Sequence, residues 1–328
     1  MAVKIDKLAH EVMVKAQLAA ALEVSAYPKP GNVHRLRDRW GKRFEHFLAG
    51  SIAIGPVVRE SVIKGFKAWL KGDLSLIGIG RLIEKAVRMQ LQAHSAGNTH
   101  LGVIMLFIPI AASVPIWHAE SREIWGLRDA LLRVLKATTI DDANALMRGI
   151  RLIKPSGMGR PPKGLPDAMK RQRADISMYE LLKASSKWDG VAMELTSGLE
   201  ASLNIGLPTL IEVYERFRDV NMAIVHCFLK LLSEKPDTLI ARSIGLSISP
   251  RAPIDKAVKL GMKEALRISE RARVILRMGG LSTSIGRKLI EDFDRELEYK
   301  GPSYNPGTTA DLTATSIFLA LLSGFKML

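Results

Sequence analysis

The segment Pro306-Gly307-Thr308-Thr309-Ala310-Asp311-Leu312 opens a stretch that carries no charge from Leu312 through Phe325. Proline and glycine stop whatever precedes them, so the stretch starts an apolar helix of its own. Two hydroxyls and a carboxylate then sit on its first turn. The free N–H groups and the positive dipole end there can hold an anion such as a phosphate. A second reading is equally physical: Thr308 and Asp311 fit a Thr-x-x-Asp capping pattern that satisfies its own helix start.

Helix is the expectation for the rest of the chain as well. Ala, Leu, Ile and Met dominate its hydrophobic 47%, aromatic residues make up only 6%, and no alternating strand pattern of useful length appears. Periodicity predicts helices over Lys4–Ala26, Phe44–Leu70 (with a break near Gly55-Pro56), Ile79–Ala93, Glu120–Leu135 and Ile140–Ile153. It predicts further helices over Ser177–Lys187, Pro208–Phe217, Val220–Leu232, Pro253–Met278 and Ser284–Tyr299. The charge-free Leu101–Trp117 reads as a buried helix ending near Pro109 or Pro115, not as a membrane span. Lys154–Pro166, rich in Gly and Pro, is a loop. The expected fold is all-α, a single multi-helix domain of about a dozen helices.

The 328 residues carry a net charge of +15, which points to an anionic partner. The densest basic cluster, Arg35 to Arg43, reads as a loop. Basic residues are not interleaved with aromatics as in RNA-binding modules, so the anion expected is a polyphosphate before a nucleic acid. The single cysteine, Cys227, excludes an internal disulfide framework and a cysteine-rich metal site. The N-terminal helix is charged and amphipathic, unlike a secretory signal, and the expected setting is cytoplasmic. No sequence feature sets an oligomeric state.

Four segments place polar chemistry beside helix-breaking residues. Glu23 continues the apolar stripe of the first helix and should face inward, where a carboxylate needs a partner or a task. It leads into Tyr27-Pro28-Lys29-Pro30-Gly31-Asn32, whose prolines preset where Lys29, Asn32 and His34 point. Gly97-Asn98-Thr99-His100-Leu101-Gly102 launches an apolar helix, with Asn98 or Thr99 as cap or phosphate ligand. His94 and His100 are wrongly spaced for a metal pair on one helical face. Pro236-Asp237-Thr238-Leu239-Ile240-Ala241-Arg242 offers Asp237 as a helix cap or a magnesium ligand. The fourth is the opening segment, preceded by Asn305. Glu45 and His46 set an acid beside a histidine on another helix.

Taken in order, these segments resemble the triphosphoribosyl-dephospho-CoA synthase family, especially its archaeal-type members. Glu23 to Arg35 is similar to the family's Glu-x-Ser-x-x-Pro-Lys-Pro-Gly-Asn-Val-His-Arg opening, and Phe44 to Leu48 to its Phe-Glu-His-Phe-Leu. Asn98–Gly102, Pro236–Arg242 and Asn305–Leu312 resemble its later motifs, so the likeness spans nearly the whole chain. There are departures. Ser156 stands where the family has a glycine, Trp188–Ala192 only partly keeps an Arg-Asp-x-Ile-Ala pattern, and an Asp-Met-Asp segment found in bacterial members is replaced by basic residues.

The resemblance implies a transfer of the 5-triphosphoribosyl group of ATP onto the 2′-hydroxyl of 3′-dephospho-CoA, releasing adenine, with Mg2+ as cofactor. By the same resemblance, Thr308, Thr309 and the helix start at Asp311 hold phosphates, helped by Lys29, Arg35 and Arg242. Asn32, His46, Asn98, Thr99, His100 and Asn305 are expected on the substrates. Asp237 and Asp311 are the expected metal ligands, Glu23 or Glu45 the base, and His34, His46 or His100 the group assisting departure of adenine. Two alternatives stay open: the same fold with a related nucleotide or ribosyl acceptor, and a nucleotide- or RNA-binding helical protein without catalysis.

Overall fold

The longest charge-free stretches become the two innermost helices. In a computed structural model, which describes residues 2–121 and 123–327, α1 covers Ala2–Ser25 and ends at the Pro-Lys-Pro-Gly turn. The basic loop follows, and then α2 (Phe44–Ala53) and α3 (Gly55–Leu70), parted at Ile54 with Pro56 in the first turn of α3. The strongly amphipathic α4 (Ile79–Ala93) leads through a polar loop to α5 (Leu101–Glu120). Next come α6 (Gly126–Lys136) and α7 (Ile140–Ile153), the latter opened by a Thr139–Asp142 capping box.

After the long loop from Lys154, α8 (Met178–Ser185) and α9 (Gly190–Thr196) start at Ser177 and Asp189, each accepting from its own helix's N–H groups. The remaining helices are α10 (Leu207–Phe217), α11 (Val220–Glu234), α12 (Thr238–Ile248), α13 (Ile254–Arg277), α14 (Ser284–Lys300) and α15 (Gly307–Leu322). Among the described residues there are isolated β-bridges but no strand, as expected for an all-α chain.

Two boundaries differ from the sequence reading. α5 runs through Pro109 and Pro115 to Glu120. A proline leaves a carbonyl one turn back without its usual donor, and here close packing accommodates the break. Gly65 of α3 lies so close to the Ala112 carbonyl that a Cβ there would sit 2.0 Å from its oxygen. The helix expected from Glu120 starts only at Gly126, because the chain folds back with the Trp117 indole N–H on the Glu123 carbonyl at 2.7 Å. Arg122, inside that expected helix, lies outside the described residues.

α5 and α15 form the centre, with the Phe107 and Phe318 rings 4.5 Å apart. α1 and α3 pack beside them, α6 covers α5, and α10 and α11 lie against α15. By length and composition α5 is apolar enough to cross a membrane, yet 83% of its apolar window is buried inside the protein. α12 lies along α13 through backbone contact, since a Cβ on Gly245 would meet the Ala257 carbonyl oxygen at 1.7 Å. Because α5 and α15 begin close together, their first turns open into the same cavity.

Candidate active site

A cavity of about 580 Å³ lies where the turn after α1 and the starts of α5, α9, α12 and α15 converge. Its polar wall holds Glu23, Asn32, Asn98, Thr99, His100, Arg242, Asn305, Thr308 and Asp311, all expected site residues far apart in sequence. The opening and closing motifs meet directly: the Asn32 amide donates to the Asn305 Oδ1 at 3.1 Å.

Glu23 is buried and accepts from the Lys29 ammonium, whose Nζ also lies 3.5 Å from Asn32 Oδ1. Burial pushes the Glu23 carboxyl up and the Lys29 ammonium down from their ordinary values, and their mutual attraction opposes both shifts. Lys29 is fully buried behind Glu23 and does not reach the cavity wall, so it serves the carboxylate and not a phosphate directly.

The start of α15 does not cap itself as its Thr-x-x-Asp spacing suggests. Its N-cap, Pro306, makes no side-chain cap. The Asp237 carboxylate fills that place from another helix, accepting from the Thr309 N–H and hydroxyl at 2.8 Å each. Its other oxygen accepts from Leu239 N–H at 2.9 Å and Ile240 N–H at 3.1 Å, capping α12. A carboxylate has about four lone-pair sites. All are in use, and neither Asp237 nor Thr309 lines the cavity. Asp237 thus clasps two helix starts, and its carboxylate is an anion seated at the first turn of α15.

Asp311 does not cap its own helix either. It reaches the first turn of α5, where the Val103 N–H donates to it and Gly102 makes room. The carboxyl opens to the cavity while protein surrounds it. Burial first, then the negative charges of Glu23, Asp237 and Asp189, hold its pKa well above the ordinary range, against the pull of the Val103 N–H. A cation relieves such a group, and Lys42 in the wall is close enough to feel the charge of Asp311. Lys42 donates to the Asn98 carbonyl and is itself pushed down by burial.

At the start of α5 the Asn98 side chain accepts from Leu101 N–H at 3.1 Å. The Thr99 hydroxyl lies 2.8 Å from His100 Nδ1 and 3.0 Å from His94 Nε2. Burial holds the His100 imidazole neutral, its pKa pushed down to about 3. Gly50 leaves space for that ring, since a Cβ there would lie 2.5 Å from Nδ1. On α12, Arg242 pairs with Asp189 at 3.3 Å, and the Thr308 hydroxyl is 3.3 Å from that of Thr238.

Four other expected residues stand apart from the cavity. Glu45 is exposed, with Arg43 3.9 Å away. It does not line the cavity. Arg35 is exposed with its guanidinium over the Tyr27 ring. His46 accepts from Arg43 N–H at 3.0 Å and stacks on His94 at 5.5 Å. His34 is buried behind the wall with Nε2 3.9 Å from Asp294.

Sequence reasoning did not single out Arg39, Lys42 or Asp189, all in the cavity wall. The first two belong to the basic cluster noted as a loop. Arg39 turns inward because Asp294, buried on α14, pairs with its guanidinium and accepts from Gly31 N–H at 2.9 Å. Among the described residues no group of three or more His, Cys, Asp or Glu is placed to hold a metal ion. Asp311 and Asp189 are both in the cavity wall, and the charge of Asp189 contributes to the raised pKa of Asp311.

The family model for ATP:dephospho-CoA triphosphoribosyl transferase (CitG) matches residues 9–327. No curated protein and no solved structure matches the chain.

Proposed function

The chain belongs to the ATP:dephospho-CoA triphosphoribosyl transferase family and is a transferase of that class, and on that premise we propose that the cavity carries the reaction with Glu23 as its base. The substrates of the family are ATP and dephospho-CoA. The bond from the ATP ribose C1 to adenine breaks, and a bond forms to the 2′-hydroxyl of the acceptor. Positive charge gathers on the ribose in the transition state, as in glycoside hydrolysis.

One observation carries the proposal: Glu23 is a buried carboxylate on the cavity wall whose side chain, among the described residues, hydrogen-bonds only to the Lys29 ammonium. Burial leaves it more basic than a surface glutamate, and the attraction of the Lys29 ammonium opposes that rise. The net reaction moves one proton from the acceptor hydroxyl to departing adenine, and Glu23 carries it between them. Its charge also faces the developing oxocarbenium ion.

Arg242, Lys42 and Arg39 supply positive charge for the triphosphate, with Thr308 and Asn305 as hydrogen-bonding partners. Asn32, Asn98 and Thr99 complete the polar wall. His100, neutral at working pH, accepts or donates a hydrogen bond without adding charge. Asp311 and Asp189 would hold magnesium, which when bound neutralises triphosphate charge and orients the chain of phosphates.

The test is to incubate the protein with magnesium and ATP, with and without 3′-dephospho-CoA, and measure free adenine and the mass of the acceptor. Adenine only with acceptor, together with the triphosphoribosyl adduct, supports the reading. Adenine without acceptor, or no adenine in either case, overturns it.

A further inference from the structure

The cavity has two chemically different ends. The polar end, described above, gathers the carboxylates and the cations. The other end is walled by α7, the loop after Lys154, α8 and the residues before α9, and presents Ile150, Met158, Leu165, Leu181 and Trp188. Polyphosphate and ribose gain nothing from an apolar wall, and an apolar lining left open to water in a cavity of this depth is costly unless a ligand covers it.

The two substrates differ in one respect that bears on this. Each has an adenosine and a phosphate chain. Dephospho-CoA alone carries a long arm of methylenes, a gem-dimethyl group and two amides, ending in a thiol. We infer that the apolar end of the cavity seats this pantetheine arm, so that the acceptor is recognised by the loop from Lys154 together with α7 and α8. This rests on the transferase reading.

The wall suits such a guest. Met158 and the nearby Met147 are adaptable side chains able to follow a flexible arm. The loop backbone offers amide partners at an edge rich in Gly and Pro, and Lys154, exposed at the end of α7, lines the cavity as a cation for the acceptor diphosphate. Of the carboxylates beside this end, Asp167 is tied to the Met169 N–H at 2.9 Å and Asp189 to Arg242 at 3.3 Å, so neither opposes an uncharged arm.

The experiment is calorimetric binding, independent of turnover, with three probes: dephospho-CoA, 4′-phosphopantetheine and ATP with magnesium. The variants are Leu165→Gln in the loop and Leu181→Gln on α8. Dephospho-CoA and 4′-phosphopantetheine should each bind about tenfold or more weakly to either variant, the scale of losing one apolar contact in a pocket. ATP should bind both variants as it binds the parent chain, which also shows that they are folded. Weakened ATP with unchanged dephospho-CoA would put the donor nucleobase at this end and overturn the proposal, as would unchanged binding of all three. If the parent chain binds 4′-phosphopantetheine and dephospho-CoA but releases no adenine, the transfer reading fails while the arm site stands.

Discussion

Asp311 and Gly102 share one space. A methyl group added at Gly102 would begin 1.9 Å from Asp311 Oδ2. The first turn of α5 is thus shaped around a carboxylate delivered by α15, and the glycine in the Asn-Thr-His-Leu-Gly segment is there for close approach.

Gly102→Ala tests this directly. The backbone at Gly102 is not in the left-handed region, and alanine favours a helix, so the fold should tolerate it. The Asp311 carboxylate must move. We expect kcat/KM for adenine release to fall by about 10²-fold, the usual scale for an ångström of misplacement, with Tm nearly unchanged. Activity within about twofold of the parent, on the scale of that estimate, would mean the carboxylate position is not used.

Removing the proposed base should lower kcat/KM by about 10²–10⁴-fold. Glu23→Gln also leaves Lys29 buried without its partner, at a cost of about 3–5 kcal/mol. The double variant Glu23→Gln/Lys29→Met removes both charges and should recover most of that stability without recovering activity. In the parent chain, activity is lost as pH falls through a pKa above the ordinary glutamate range, because the base then carries a proton. That acid limb should disappear from the pH profile of the residual activity in the variants.

His100 makes stability depend on pH. Its folded pKa is pushed down to about 3, below the unfolded value of 6.5. Between these values the unfolded chain takes up a proton that the folded protein refuses, so stability is full above 6.5 and falls as pH drops toward 3. The total is at most ~5 kcal/mol. His100→Asn should show a shallower fall in Tm between neutral and acid pH. Parallel Tm curves for parent and variant would contradict the buried, neutral assignment.

Apolar periodicity made most helices legible, and the motifs drew together as expected: Asn32 on Asn305, and Thr308 and Asp311 beside Asn98 to Gly102. What the sequence could not express was which helix start each carboxylate serves. Thr308 and Asp311 have capping spacing, but the geometry hands the cap to Asp237, which is 72 residues from Thr309. Local pattern sees only neighbours, and a cap contributed across the fold leaves no local trace. Arg39 and Lys42 looked like any solvated basic loop, because their inward turn depends on Asp294 and the Asn98 carbonyl. Glu45 sat in a shared motif yet faces water, since a sequence motif does not show which side of a helix such as α2 is exposed.

We assign Asp311 to the chemistry and Asp237 to the fold. The most direct measurement is adenine release per folded molecule for Asp311→Asn and Asp237→Asn side by side, with Tm for each. Asp311 is an acid whose ionised form is disfavoured by its surroundings, so Asn should keep or raise Tm while turnover is lost. Asp237→Asn puts an amide where the carboxylate accepts from Thr309 and Ile240, and should cost about 1–3 kcal/mol of stability. Its folded fraction should still turn over. The reverse pattern, a stable but inactive Asp237→Asn and an active Asp311→Asn, would contradict the account.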